Sequence, residues 1–254
     1  MLFACGGGAA HVVSDYPPPM MPVVTVNPPT PGPDRPDLWD GAVRRAVDDV
    51  EDRLAGVRIA FIYAILGGDL GRLIMSELTV RAKVAGCRVV LIAGIPMAFE
   101  RSRRSKALAE IPEIRHAGDR LLLMDGEAVV RLNSDVKADP TFRLTAHSLA
   151  FAIDNLAQLA EGPFFSTLTE GAYTFAYVTE MDPGDAVGRA LRASVFPTDP
   201  SYGTPVVTVS SGFGEARTEK TVERVVAETG MLPDIVERAD REDSKFLVFL
   251  PVEL

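Results

Sequence analysis

Cysteine is scarce in this 254-residue chain: Cys5 and Cys87 are the only two, too few for a disulfide framework and without Cys or His neighbours at zinc spacing. A reducing compartment and no structural metal are expected. Basic charge is in deficit as well. Lys and Arg number 26 against 35 Asp and Glu, a formal net charge of -9, which disfavours nucleic acid and anionic membrane surfaces as partners. No apolar run approaches the roughly 20 residues that cross a bilayer. Met1 to Cys5 ends like a bacterial lipid-attachment box, but no basic leader or apolar run of signal length stands before it. A cytoplasmic location without direct membrane insertion is expected. The lysine of a Walker loop is missing. So is the third glycine of a dinucleotide fingerprint: after Gly6 and Gly8 its place falls on His11, and Asn27 stands where an acidic ribose ligand belongs. No Gly-x-Ser-x-Gly elbow occurs. An ordinary dinucleotide enzyme or serine hydrolase is weakened by these gaps.

Hydrophobic residues make up 47% of the chain and aromatics only 7%, so aliphatic side chains fill the core of one large or two modest domains. Met1 to Cys5 reads as a buried strand feeding the turn Gly6-Gly7-Gly8. Val23 to Val26 is a second short strand, set in a stiff stretch from Pro17 to Pro36 that holds nine of the 19 prolines. Leu38, Val43, Val47, Val50 and Leu54 recur at helical spacing, predicting an amphipathic helix closed by Gly56. Arg58 to Leu66 is almost unbroken apolar sequence, as in a parallel strand covered on both faces. Gly67-Gly68-Asp69-Leu70-Gly71 turns the chain into a helix over 73–85, followed by a strand over 88–93. A charged helix over 98–117, with Leu108, Ile111 and Ile114 on one side, is expected to be interrupted at Pro112. Further strands fall at 120–124, 172–179, 205–210 and 246–252, with helices from Asp185 to Ala193 and from Glu219 to Thr229. Between them a helical pattern runs from Thr141 to Gly162, about 30 Å at 1.5 Å per residue.

Two glycine turns therefore sit at the carboxyl ends of parallel strands, each opening a helix. Small residues there let backbone amides approach an anion, and the helix dipoles favour it. The order of features resembles the FtsZ/tubulin superfamily. The resemblance rests on Phe3-Ala4-Cys5-Gly6-Gly7-Gly8-Ala9-Ala10, on Val26-Asn27 at a strand end, and on Ala64-Ile65-Leu66-Gly67-Gly68-Asp69-Leu70-Gly71 in the place of the family signature loop. Ile95-Pro96-Met97-Ala98-Phe99-Glu100 before an Arg/Lys-rich helix, the long helix from Thr141, and Val206 to Val209 with its Ser211-Gly212 turn continue the match.

This resemblance implies an α/β fold: a Rossmann-like parallel-sheet nucleotide-binding domain over 1–140, a core helix over 141–162 and a smaller α+β domain over 163–254. It implies a purine nucleotide, GTP or GDP, held by Gly6, Gly7, Gly8, Ala9, Asn27, Gly67, Gly68, Asp69, Leu70, Gly71 and Arg72, with Phe142 and Ala146 at the base. It also implies head-to-tail self-assembly, or assembly with an FtsZ-like paralogue.

The departures from the family pattern carry their own expectations. Asp69 replaces a glycine, Leu70 and Arg72 replace threonines and Leu73 replaces the last glycine of the loop. A carboxylate beside phosphates repels them unless a cation intervenes: either Arg72 supplies counter-charge, or Asp69 holds Mg²⁺. Ala146 stands where the family places an acid that reads guanine. The stretch Glu161 to Glu170 is short and lacks the acids that would activate water, so no catalytic residue is assigned and hydrolysis is expected to be weak or absent. No adaptor-binding tail follows Leu254, so a membrane tether recruited through one is not expected. The alternative is a non-hydrolysing scaffold of the same fold that binds no nucleotide.

Overall fold

An apolar strand such as Arg58 to Leu66 needs cover on both faces, and the computed structural model supplies it. The structure describes residues 1–15, 17–18, 21–29, 36–128, 153, 172–179, 188, 196, 198, 201, 203–238 and 245–252. The chain divides into two units, Met1–Met124 and Asp125–Leu254. The first runs β1 (Leu2–Cys5), α1 (Gly6–Asp15), β2 (Val23–Val26), α2 (Trp39–Glu51), β3 (Ile59–Ile65), α3 (Gly71–Val84), β4 (Arg88–Ile95) and α4 (Arg101–Ile114), closing on β5 (Arg120–Asp125).

Its strands lie in the order β2-β1-β3-β4-β5. The β1–β2, β1–β3 and β3–β4 pairs are parallel. Ala60, Ile62, Tyr63 and Ala64 of β3 are wholly buried, as are Val89, Leu91 and Ala93 of β4. Each large aliphatic or aromatic side chain so covered contributes about 1.5–3 kcal/mol. α3 buries the stripe Ile74, Met75, Leu78 and Ala82, the 3.6-residue periodicity of a core-facing helix. Its outer side meets α2, where Arg81 bonds Asp48 and Glu51, and within α3 Arg81 also bonds Glu77.

The parallel register fixes where chemistry can occur. Cys5 pairs with Val26 on one side and Ala64 on the other, so the residues after β1, β2 and β3 emerge at one edge of the sheet. From β1 the chain passes to β2 on one side, whereas β3, β4 and β5 build outward on the other. Such a reversal between neighbouring strands opens a crevice at their carboxyl ends, the usual ligand position in open parallel sheets.

In the second unit the described elements are β6 (Ala172–Thr179), β7 (Val206–Ser210), the helix α5 (Glu215–Thr229), β8 (Asp234–Arg238) and β9 (Lys245–Pro251). Their order is β6-β9-β7-β8. β9 is antiparallel to both β6 and β7, while β7 and β8 are parallel. Val207, Val209, Phe213, Val225, Val248 and Leu250 form a core. α5 ends at Gly230, whose φ of 71° is left-handed and whose N–H donates to the Val226 carbonyl at 2.8 Å.

Several expectations need correction. The first glycines are the opening turn of a helix, because Gly6 alone takes a positive φ, 82°, and pivots the chain directly from strand to helix. Pro112 does not interrupt α4, which runs on to Ile114. A proline near a helix end removes one bond and leaves little helix beyond it to disrupt. The buried face of α4 is Ala107, Glu110, Ile111 and Ile114, and Leu108 is exposed at 36%. α5 begins four residues before the expected Glu219. β8 has no counterpart among the expected strands, since Asp-Ile-Val-Glu-Arg interleaves charges with only two apolar residues on a sheet edge. Apart from Ile153, which is helical and fully buried, the expected core helix lies outside the described residues, as do Phe142, Ala146 and the stretch Glu161 to Glu170.

Candidate functional site: a glycine-lined cavity at the carboxyl edge of the parallel sheet

The two glycine segments touch. A Cβ on Gly6 would stand 3.1 Å from the Gly71 Cα and 3.3 Å from its nitrogen, and a Cβ on Gly71 would stand 3.3 Å from the Cys5 carbonyl oxygen. Only glycine at both places lets the starts of α1 and α3 approach so closely. Between them opens a cavity of about 400 Å³. Its walls are Gly6, Gly7, Gly8 and Ala9 from the first segment and Gly68, Asp69, Leu70 and Gly71 from the second. Asn27 closes one side, with Pro28 and Pro29 beside it.

The electrostatics of this edge favour an anion. Neither α1 nor α3 carries an acidic residue in its first turn, and no side chain caps the start of α3. Each helix start presents unsatisfied amide donors and roughly half a positive charge. Two such ends converging on one cavity form the arrangement that binds phosphate. The floor is neutral: burial pushes the Cys5 thiol up from its ordinary range, so it stays protonated at neutral pH. Its Sγ lies 3.9 Å from the Phe3 carbonyl. Cys87, also buried, has its thiol raised by desolvation first.

The second segment divides its work between neighbouring residues. Gly67 does not line the cavity. It has a φ of 73°, and a Cβ there would overlap the Arg103 carbonyl of α4. Its N–H donates to Glu110 Oε2 at 2.8 Å. Glu110 is only 7% exposed, so a carboxylate on the buried face of α4 holds the turn in place. Arg72 also points away from the cavity, its guanidinium 3.6 Å from Glu110 Oε1 and 3.0 Å from Glu113 Oε2. The counter-charge to Asp69 is therefore Lys106, whose Nζ lies 3.1 Å from Asp69 Oδ1; the expectation that Arg72 supplies it is corrected. Among the described residues, no group of three or more His, Cys, Asp or Glu is placed to hold a metal ion.

Arg103 is the functional candidate that sequence reasoning missed. It is the one basic residue among the cavity walls described, and it also pairs with Glu100. Nothing in the run Arg101-Ser102-Arg103-Arg104 marks one arginine from another. The selection is made by the packing of Gly67 against the Arg103 backbone, which delivers that turn of α4 to the cavity rim.

The cavity's residues fit the phosphates of a nucleotide: bare amides, two helix starts and a guanidinium, at an edge where any side chain on Gly6 or Gly71 would crowd the backbone. The fold and this edge define the chain as an open parallel α/β protein with a glycine-lined cavity at the carboxyl edge of its sheet. No protein-family model matches the chain. Among curated proteins, an FtsZ 2 cell division protein of Methanocaldococcus jannaschii is 23% identical over 172 residues, which are 63% of this chain and 45% of that protein. The chain spans less than half the length of the curated relatives it matches. Among solved structures, a point mutant of FtsZ from M. jannaschii superposes with a TM-score of 0.76 at 13% identity, covering 100% of this chain and 90% of that one. CetZ2 from Haloferax volcanii, solved as a GTPγS-bound protofilament, gives a TM-score of 0.72 at 18% identity, covering 99% and 92%. The chain has the fold of the FtsZ/tubulin superfamily, and over part of its length its sequence is similar to FtsZ proteins. Among the described residues, no helix is long and apolar enough to cross a membrane.

Proposed function

We propose that this protein is a cytoskeletal element that binds a purine nucleotide, GTP or GDP, with its phosphates between Gly6–Ala9 and Gly68–Gly71, and that copies stack head to tail into filaments. The observation that carries this reading is the convergence of two helix starts, neither with an acid in its first turn, on one glycine-lined cavity. The relatives lend it a precedent: the CetZ2 structure is a nucleotide-bound protofilament and the curated matches are cell division proteins. In a head-to-tail stack each subunit presents one face to the next and the contact repeats without closing, which makes a filament. Lys106 beside Asp69 lowers the repulsion that this carboxylate would otherwise exert on a phosphate, and Arg103 adds a cation at the rim. Hydrolysis is slow or absent, because the stretch Glu161 to Glu170 lacks the family's acids.

One observation favours a second reading, a scaffold of the same fold without nucleotide: a carboxylate, Asp69, stands on the very segment that would hold phosphate. The deciding measurement is the nucleotide content of the purified protein, released by denaturation and identified by chromatography, together with GTP and GDP titrations with and without Mg²⁺. Bound guanine nucleotide, with sedimentation that depends on it, supports the first reading. Empty protein with no heat of binding and no thermal shift leaves the scaffold.

A further inference from the structure

A second concavity, chemically the opposite of the first, lies in the second unit between α5 and the β7–β8 edge, with a volume of about 630 Å³. Glu215, Glu219 and Glu223 fall at successive turns on one face of α5, and Glu237 of β8 completes a rim of four carboxylates. Among the described residues no basic side chain lines this groove. Its floor is apolar, from Val222 and from Ile235, which is 40% exposed. Ser210 ends the floor: it is 2% exposed, and its hydroxyl has no hydrogen-bond partner. A buried hydroxyl left unpaired costs about 1–3 kcal/mol, and a donor or acceptor arriving in the groove would relieve it.

The same chain carries the complementary surface. α4 presents Arg101, Arg104, Ser105 and Leu108 at positions i, i+3, i+4 and i+7, which share one helix face. Arg101 and Ser105 are exposed and Leu108 is 36% exposed, whereas Arg104 is half-buried and donates to the Pro96 carbonyl at 2.6 Å. This face is distinct from Arg103 and Lys106, which serve the cavity rim and Asp69. An exposed arginine two turns from an apolar residue on one helix face matches an apolar floor rimmed by glutamates. A guanidinium carries five donors, enough to serve a carboxylate and a serine hydroxyl together.

We propose that the α5–β8 groove of one copy receives the Arg101–Leu108 face of α4 from a second copy, with Leu108 on Val222 and Ile235 and Arg101 among the glutamates. This names the contact for the self-association proposed above and rests on that reading. The groove and the helix lie in different units of the chain, and each copy carries one of each.

The test uses the whole chain in two charge-reversed forms, Arg101→Glu/Ser105→Glu on the helix and Glu219→Lys/Glu223→Lys in the groove, studied by sedimentation velocity at low and high salt. The unaltered protein should associate, and raising salt should weaken it at least tenfold, because paired exposed charges are screened. Each reversed form alone should remain monomeric, because one of its surfaces repels the other. Mixed in equal amounts they should associate again, since each reversed helix now meets a reversed groove. Association of either reversed form alone, failure of the mixture while the unaltered protein associates, or an unaltered protein that is monomeric throughout would overturn the proposal. If a reversed form fails to fold by circular dichroism, the milder Arg101→Gln and Glu223→Gln forms replace it, each expected to weaken association several-fold and overturning the proposal if they do not. Nucleotide titration of the same samples reads the cavity separately. Nucleotide binding with unaltered, salt-insensitive assembly sinks this contact alone, whereas reversed-charge rescue without nucleotide binding sinks the nucleotide reading alone.

Discussion

The cavity edge of the first unit and the groove of the second are both formed where helices run against strands, yet their charges are opposite. In the first unit α1 and α3 open without acids and line their concavity with glycine amides. In the second, α5 opens with Glu215 and continues with glutamates along the groove. The difference teaches how each concavity is held. The first is built into packing, because Gly6 and Gly71 are places where backbones meet and an added side chain would crowd them. The second is a property of exposed side chains, which can change without disturbing the core.

The sharpest way to break this comparison is Gly67→Ala. Its methyl group would overlap the Arg103 carbonyl in a backbone conformation that L residues rarely adopt, so a loss of ~3 kcal/mol or more is expected in urea unfolding. A stability within experimental error of the unaltered protein would show that the turn yields easily. Next in size is Glu110→Ala, which leaves the Gly67 N–H without its buried acceptor and should cost about 1–3 kcal/mol. Glu110→Gln keeps a carbonyl oxygen for that N–H and should recover much of the loss; equal damage from both would mean that charge, rather than the hydrogen bond, holds the turn. The smallest effect on folding belongs to Gly7→Ala. Its Cβ would sit 3.8 Å from the Asn27 side chain, an ordinary contact, and alanine is the better helix former. Stability should therefore hold or rise slightly, while affinity for GTP in calorimetric titration falls about tenfold, near 1.4 kcal/mol. Unchanged affinity would place the phosphates elsewhere than over α1.

Legibility in the sequence followed burial and period. β3 and β4 were readable because strands covered on both faces leave long apolar runs, and α2 because its apolar residues recur at helical spacing. β8 was not, since an edge strand with Asp, Glu and Arg among two apolar residues has no such signature. Within the cavity, Gly6 to Ala9, Asn27 and Gly68 to Gly71 were legible as glycine turns and a strand end in parallel β-α order. Glu110 was hidden because a carboxylate on a buried helix face looks like any polar interruption of an apolar stripe until its partner, 43 residues away, is seen.

By itself the sequence determined the parallel α/β unit, its glycine corners and its acidic balance, because periodicity, chain reversal and net charge are local or additive properties. Tertiary structure alone decided that Gly67 serves packing while Gly71 serves the cavity, that Lys106 rather than Arg72 answers Asp69, and that one arginine of the three on α4 reaches the rim. Those assignments depend on distances between segments far apart in the chain, which are set by how helices settle on a sheet and by which backbones can touch.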